Sequence, residues 1–333
     1  MLALWDTTGA EVVRKLAAER HSAGGVASGL ALTLVVVVEE ARVRAVEDAV
    51  TIAAASHPCR LIVVSRIGPA KPGTSRPGGI DPAKDRLDAE IIVGGRLGPA
   101  EAVVLRTHGG VAKHAESVVM PLLAPDVPVV TWWHGAPPDR IENDPLGVFA
   151  ERRITDVGQA ADPMAALNQR AVDYAPGDTD LAWTRTTPWR TLLAGAFDTV
   201  TDTVTAASVT APADDPTAAL LSGWLCARLG VTPTLIPAEA GRLDQVTLTL
   251  KDGDELSLTR KEGTAVLSRT GWADRILPLV VRRLGEELAE ELRRLDADQP
   301  YAAALAAATG THGLDERPAM RSAGRSAQDL VNA

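Results

Sequence analysis

Residues Leu30-Ala31-Leu32-Thr33-Leu34-Val35-Val36-Val37-Val38-Glu39 form a nearly unbroken leucine and β-branched run. Alternating polarity would mark a strand with one wet face. A continuous apolar run marks a strand covered on both faces, as in the parallel sheet of an α/β protein. The residues that follow agree. Over 41–56 the pattern turns helical, with Val43, Val46 and Val50 inward and Arg42, Arg44, Glu47 and Asp48 outward. Residues 60–66 are again apolar at their centre, so the three segments predict a β-α-β unit with a right-handed crossover.

Working outward, Val12, Val13 and Leu16 predict an amphipathic helix over 8–20 that Gly24-Gly25 ends. Residues 68–85 are rich in Pro and Gly with almost no apolar anchor, and are expected to form a mobile loop. Residues 87–94 and 102–107 predict paired strands around Gly95-Arg96-Leu97-Gly98, and 110–123 a helix. Residues 126–133 predict a strand that ends in His134-Gly135-Ala136-Pro137-Pro138. Open α/β sheets bind their ligands at such carboxyl ends of strands. A short strand over 153–156 and a helix started by Asp162-Pro163 complete the first half.

A similar order returns after residue 200. Residues 203–209 predict a strand, Asp214-Asp215-Pro216 starts a helix, and 232–236 is a further strand. Residues 245–251 and 255–260 form a hairpin about Lys251-Asp252-Gly253-Asp254, 264–269 adds an edge, and a long helix is expected over 274–295. The reading is therefore α/β with two domains, each a mixed sheet flanked by helices. The boundaries fall at 1–176, a Trp/Arg-rich junction and helix at 177–200, a second domain at 201–310 and a disordered tail at 311–333. The repeated order admits a tandem structural duplication.

The totals exclude several classes. At 333 residues the chain can hold two cores. A net charge of −9 argues against nucleic acid and anionic membrane as partners. No signal peptide is expected at the N-terminus, and the longest apolar run is far below the roughly 20 residues that span a bilayer. Two distant cysteines, Cys59 and Cys226, suit a reducing cytoplasm and read as small core residues. No Walker loop, dinucleotide glycine motif, Gly-x-Ser-x-Gly elbow or Cys-x-x-Cys pair occurs, so no cofactor is expected. His108 and His114 are six apart and do not share a helical face, which speaks against a metal there.

The densest chemistry is in Asp178-Thr179-Asp180-Leu181-Ala182-Trp183-Thr184-Arg185-Thr186-Thr187-Pro188-Trp189-Arg190, in a chain only 3% aromatic. Thr187 reads as a helix cap and Pro188 as the first helical residue, with Trp189, Leu192, Leu193, Ala196 and Phe197 on the buried face. Asp178 and Asp180 either share a hard cation or, more commonly for this pattern, cap and turn the backbone. Arg185 and Arg190 form either an anion site or ion pairs with Asp178, Asp180 or Asp198. Trp132 and Trp133, adjacent on a strand, point to opposite faces, so one fills the core and the other does not follow it. His134 at that strand's end is a base, a phosphate contact or a structural turn residue. Trp183 has no periodic apolar partners, so it and Arg185 are expected either at a partner-binding surface or in inter-domain packing. On the partner reading, Trp183→Ala should weaken activation of the partner and leave the fold intact.

Residues 126–138 (DVPVVTWWHGAPP), 152–156 (RRITD), 177–194 (GDTDLAWTRTTPWRTLLA) and 223–230 (GWLCARLG) resemble the OpcA family of glucose-6-phosphate dehydrogenase assembly proteins. The resemblance implies a non-enzymatic partner that binds glucose-6-phosphate dehydrogenase, helps its oligomer assemble and raises its activity at the head of the oxidative pentose phosphate pathway. It does not assign the contact residues. The alternative is a small-molecule, phosphosugar-binding regulator or a hydrolase that uses His134, Arg185 and Arg190.

Overall fold

The computed structural model describes residues 1–22, 29–67, 84–94, 101–198, 200, 202–238 and 241–319. Gly24-Gly25, all but the end of the Pro/Gly loop, the turn 95–98 and residues 320–333 of the expected tail lie outside the described residues. Residues 311–319, expected to be disordered, are described, with Leu314 buried and Arg317 donating to the carbonyls of Ala171, Val172 and Tyr174. The chain forms two compact units. One holds Met1–Thr155 with Leu284–Asp296, the other Asp156–Arg283 with residues 297–319.

The first unit contains β1 (Leu2–Leu4), α1 (Gly9–Ser22), β2 (Leu32–Val38), α2 (Val43–Ser56), β3 (Cys59–Ile67), β4 (Arg86–Val93), β5 (Glu101–His108), α3 (Gly109–Lys113), α4 (Glu116–Val119), β6 (Val129–His134), α5 (Pro145–Val148) and β7 (Arg152–Thr155). In the sheet of this unit these seven strands run β1-β4-β5-β3-β2-β6-β7. Strands β5, β3, β2, β6 and β7 are parallel; β4 pairs antiparallel with β5, and β1 antiparallel with β4. The predicted β-α-β unit is β2-α2-β3, and β3 and β6 are buried almost throughout. Val35, Ile62, Val64, Val103 and Leu105 share one core with Val12 and Leu16 of α1. The helix expected over 110–123 is broken into α3, α4 and a 3-10 turn at Met120–Leu122. Pro121 lacks the N–H that a continuing helix needs.

Cys59 opens β3 fully buried, and burial pushes its thiol up to about 12. Cys226, expected in the core, is only half-buried. Since the thiolate is the reactive form, a maleimide should label Cys226 in the folded protein and spare Cys59, with both labelled after denaturation. Peptide mass spectrometry reads the difference. Equal labelling under native conditions would mean that β3 opens readily.

The second unit contains α6 (Pro163–Asp173), β8 (Asp178–Asp180), α7 (Leu181–Phe197), β9 (Val204–Ala211), α8 (Pro216–Leu229), β10 (Thr234–Pro237), β11 (Gln245–Leu250), β12 (Glu255–Lys261), β13 (Thr264–Arg269) and β14 (Arg275–Pro278). A six-stranded sheet runs β10-β9-β11-β12-β13-β14, parallel at β10-β9 and antiparallel elsewhere. Strands β11 to β13 alternate as one-sided strands do: Val246, Leu248, Leu256, Leu258, Ala265 and Leu267 face Trp189 and Leu193 of α7 and Leu221 and Leu225 of α8.

Two expectations are corrected here. The helix predicted over 274–295 is strand β14 followed by α9 (Leu284–Glu291). Pro278 cannot sit inside a helix without cost but is tolerated on an edge strand. Strand β13 is consequently not the edge, because β14 covers it. Helix α9 belongs to the first unit, where Gly285 lies against Ala49 and Ile52 of α2 and Arg152 donates to Glu291 and to the Asp296 carbonyl.

An element absent from the sequence reading is α10 (Gln299–Thr309). Asp298 caps it by accepting from the Tyr301 N–H at 3.0 Å, and Gly310 closes it at φ +70°. Both signals were legible. The two halves do share a parallel β-α-β start, β2-α2-β3 and β9-α8-β10. They then diverge: the next hairpin joins β3 through β5 in one, and β9 through β11 in the other.

Candidate functional site

Two places carry the predicted residues. The first is the carboxyl end of the parallel strands. The chain leaves β2 toward β3 on one side and returns later as β6 on the other, so the β2/β6 boundary is a topological switch point. A cavity of about 250 Å³ lies there, lined by Val37, Val38, Glu39, Arg66, Trp133, His134 and the 136–138 turn. Arg66 is already committed: its two Nη atoms fork onto Asp144 at 2.8 and 3.1 Å, and Asp144 also caps Leu146. The loop after β2 carries Glu39 and Glu40, where a phosphate cradle would present glycine N–H groups. The chemistry is therefore mainly apolar, with a neutralised guanidinium and an exposed carboxylate.

Trp132 and Trp133 do point to opposite faces of β6, yet both are buried. The expectation that only one enters the core fails because this parallel sheet is covered on both sides. Trp132 meets His134 edge-on at 5.1 Å, and His134 is itself buried at the end of β6.

The second place is the 178–190 segment. The helix starts six residues before the expected Thr187 cap. Asp180 is its cap: Oδ1 accepts from the Ala182 N–H at 2.8 Å and Oδ2 from the Val157 N–H at 3.0 Å. Pro188 sits inside α7 rather than at its first position. Its missing N–H lies in the second turn, beyond the orphan donors that a cap must satisfy. Asp178 accepts from the Ala175 N–H at 2.8 Å and closes the turn before β8, so both aspartates cap and turn the backbone.

Arg185 forks onto buried Asp156 at 2.7 and 2.9 Å, a partner the sequence reading left out. Arg190 donates to the hydroxyls of Thr186 (2.8 Å) and Thr187 (3.0 Å), and its guanidinium carbon lies 3.7 Å from the Trp183 ring centroid. Trp183 is buried, with its Nε1 donating to Asp298 at 2.8 Å and its ring 5.8 Å from that of Tyr301. Burial, together with the nearby Asp180 and Asp178 carboxylates, raises the Tyr301 phenol well above its usual range. Trp189 is buried in the sheet core, with Arg260 5.3 Å from its ring.

None of Trp132, Trp133, Trp183 and Trp189 thus offers a surface to a partner. Trp183 packs against residues of α10, the helix that the sequence reading had missed. Among the described residues no cluster of three or more His, Cys, Asp or Glu side chains is placed to hold a metal, and no helix is long and apolar enough to cross a membrane.

The fold and this chemistry define a two-sheet α/β protein whose distinctive arginines and tryptophans hold its own structure together. The chain matches the N-terminal domain of the glucose-6-phosphate dehydrogenase subunit over residues 50–172 and its C-terminal domain over 176–305. It belongs to the OpcA family. No curated protein matches it. Among solved structures it is similar to a mutant of KijD10, a 3-ketoreductase from Actinomadura kijaniata in complex with TDP-benzene and NADP. The identity is 13%, with 86% of this chain and 98% of that chain covered and a TM-score of 0.43.

Proposed function

We propose that this protein is a non-catalytic subunit that binds glucose-6-phosphate dehydrogenase directly, promotes its assembly and raises its activity. Membership of a family named for that enzyme's subunit carries the reading. The site supports it in one respect. The charged and aromatic groups that first suggest catalysis or ligand binding are spent on caps, ion pairs and ring stacking within the second unit. A function exercised through the outer surface is compatible with that arrangement.

Activation by shifting the enzyme between two states requires tighter binding to the active one. A tenfold gain needs about 1.4 kcal/mol of differential affinity. Titrating this protein into the dehydrogenase of the same organism should give saturable activation and co-elution on sizing, with no turnover by this protein alone. Absence of both effects would overturn the reading.

The second reading, a metabolite-binding regulator, is favoured by the cavity at the β2/β6 boundary. Of the three residues expected to serve it, His134 lines the cavity and Arg185 and Arg190 do not.

A further inference from the structure

The cavity at the β2/β6 boundary carries two hydrogen-bond donors that the chain itself leaves unused. Val37 lies in register between Val64 of β3 and Trp133 of β6, and Arg66 follows Val64 by two residues. Val37, Trp133 and Arg66 therefore project from one face of the sheet, and all three line the cavity. Trp133 is buried, and its Nε1 has no hydrogen-bond partner. The Nε of Arg66 is likewise buried without one, since the fork onto Asp144 uses only the two Nη atoms. Buried polar atoms are mostly paired, because an unmet donor keeps its full desolvation cost. Two such donors on the two sides of Val37 call for an acceptor from outside the chain.

The rest of the lining decides what kind of molecule brings that acceptor. Phosphates and carboxylates are held by bare guanidinium groups or by rows of N–H groups at a glycine-rich turn. Here Asp144 neutralises Arg66, and the turn after β2 brings the exposed Glu39 carboxylate, 3.9 Å from Arg42. An anion would meet a like charge. An uncharged ligand meets two donors, one acceptor in Glu39 and an apolar wall of Val37, Pro137 and Pro138. The size agrees. An apolar cavity of about 150 Å³ accepts benzene, so one of about 250 Å³ accommodates a single ring together with its hydroxyl groups.

We propose that this cavity binds an uncharged, hydroxylated ring the size of one monosaccharide. Oxygens of the ring accept from the Trp133 indole N–H and the Arg66 Nε–H, and a hydroxyl donates to Glu39. The apolar wall supplies contact area, and the few polar groups fix orientation. The proposal rests on the second reading above, that the cavity takes a metabolite, and it replaces the expected phosphosugar with a sugar that lacks the phosphate. It does not depend on contact with glucose-6-phosphate dehydrogenase.

The test titrates the full, isotope-labelled chain with D-glucose, D-ribose and myo-inositol, and with glucose 6-phosphate and ribose 5-phosphate. Each of the seven tryptophans carries one indole N–H signal in the nuclear magnetic resonance spectrum. The Trp133 signal should move saturably with at least one uncharged compound. The Trp183 signal should stay, because its N–H already serves Asp298. Both phosphate esters should bind about tenfold or more weakly than the tightest uncharged compound. Ala136→Phe should abolish the shift at an unchanged denaturation midpoint, since Ala136 lines the cavity and is exposed. Glu39→Gln should weaken the uncharged ligand about fivefold, by turning a charge-assisted hydrogen bond into a neutral one. A phosphate ester that binds as tightly as the uncharged compounds would overturn the proposal and leave the metabolite reading standing. No movement of the Trp133 signal with any of the five would overturn both. A shift that survives Ala136→Phe would place the ligand outside the cavity and overturn the proposal as well.

Discussion

Trp183→Ala is expected to destabilise the second unit by about 3–5 kcal/mol, the usual cost of truncating a fully buried tryptophan. Three contacts go at once. The ring leaves a void beside Tyr301, Arg190 loses the π-face under its guanidinium, and Asp298 loses the Nε1 donor while still capping α10 through Tyr301. Against a total stability of about 5–15 kcal/mol, such a loss should be plain as a fall on the order of 10 °C in the thermal midpoint. Trp183→Phe keeps most of the ring packing and removes the N–H, so it should cost less, about 1–2 kcal/mol. This outcome is opposite to that expected of a surface contact. An unchanged midpoint in Trp183→Ala would return the residue to the surface and remove the account of α7 given above.

That reversal shows where the sequence was legible and where it was not. The apolar run at 30–39 identified β2, buried over Leu32–Val38, and its parallel partners, because a strand covered on both faces writes its environment into consecutive residues. Local punctuation was equally readable: Asp162-Pro163, Asp215-Pro216 and the turn at Asp252-Gly253 all stand where the spacing puts them.

The failures came from competing local signals. Thr187-Pro188 resembles a helix start, but Asp180 caps the same helix earlier through the Ala182 N–H, its second oxygen accepting from the Val157 N–H. The leucines at 284–295 have helical spacing, and extending that stripe back to Leu277 ran through Pro278. Trp183 looked unpartnered because its partners, Tyr301 and Asp298, are more than a hundred residues away on α10. Periodicity within a window cannot report a neighbour that only tertiary packing supplies. The cavity at the β2/β6 boundary was half-legible. His134 and Trp133 were placed at a strand end, whereas Arg66 and Asp144 came together only through the sheet order.

The same tertiary dependence gives Gly223→Ala an effect whose sign cannot be read from the helix alone. Gly223 lies inside α8, where alanine should add up to about 1 kcal/mol through helix propensity. A Cβ there would stand 2.1 Å from the Ala304 carbonyl oxygen and 3.0 Å from the Ala308 nitrogen. Both are backbone atoms of α10, so no side-chain rotation relieves the clash and the helix itself must retreat. Retreat would loosen Tyr301 and Leu305 from the cluster they share with Trp183 and Leu220. The overpacking cost should therefore reach or exceed the upper end of the usual range of about 1–3 kcal/mol and outweigh the propensity gain. Gly195→Ala in α7 is the matched control. Its Cβ would meet nothing within 4 Å, so only propensity acts and the protein should gain about 0.5–1 kcal/mol. Urea melts of the two variants should thus shift in opposite directions. A shift of the same sign in both would mean that α10 does not approach α8 at Gly223, and the packing that buries Trp183 would have to be redrawn.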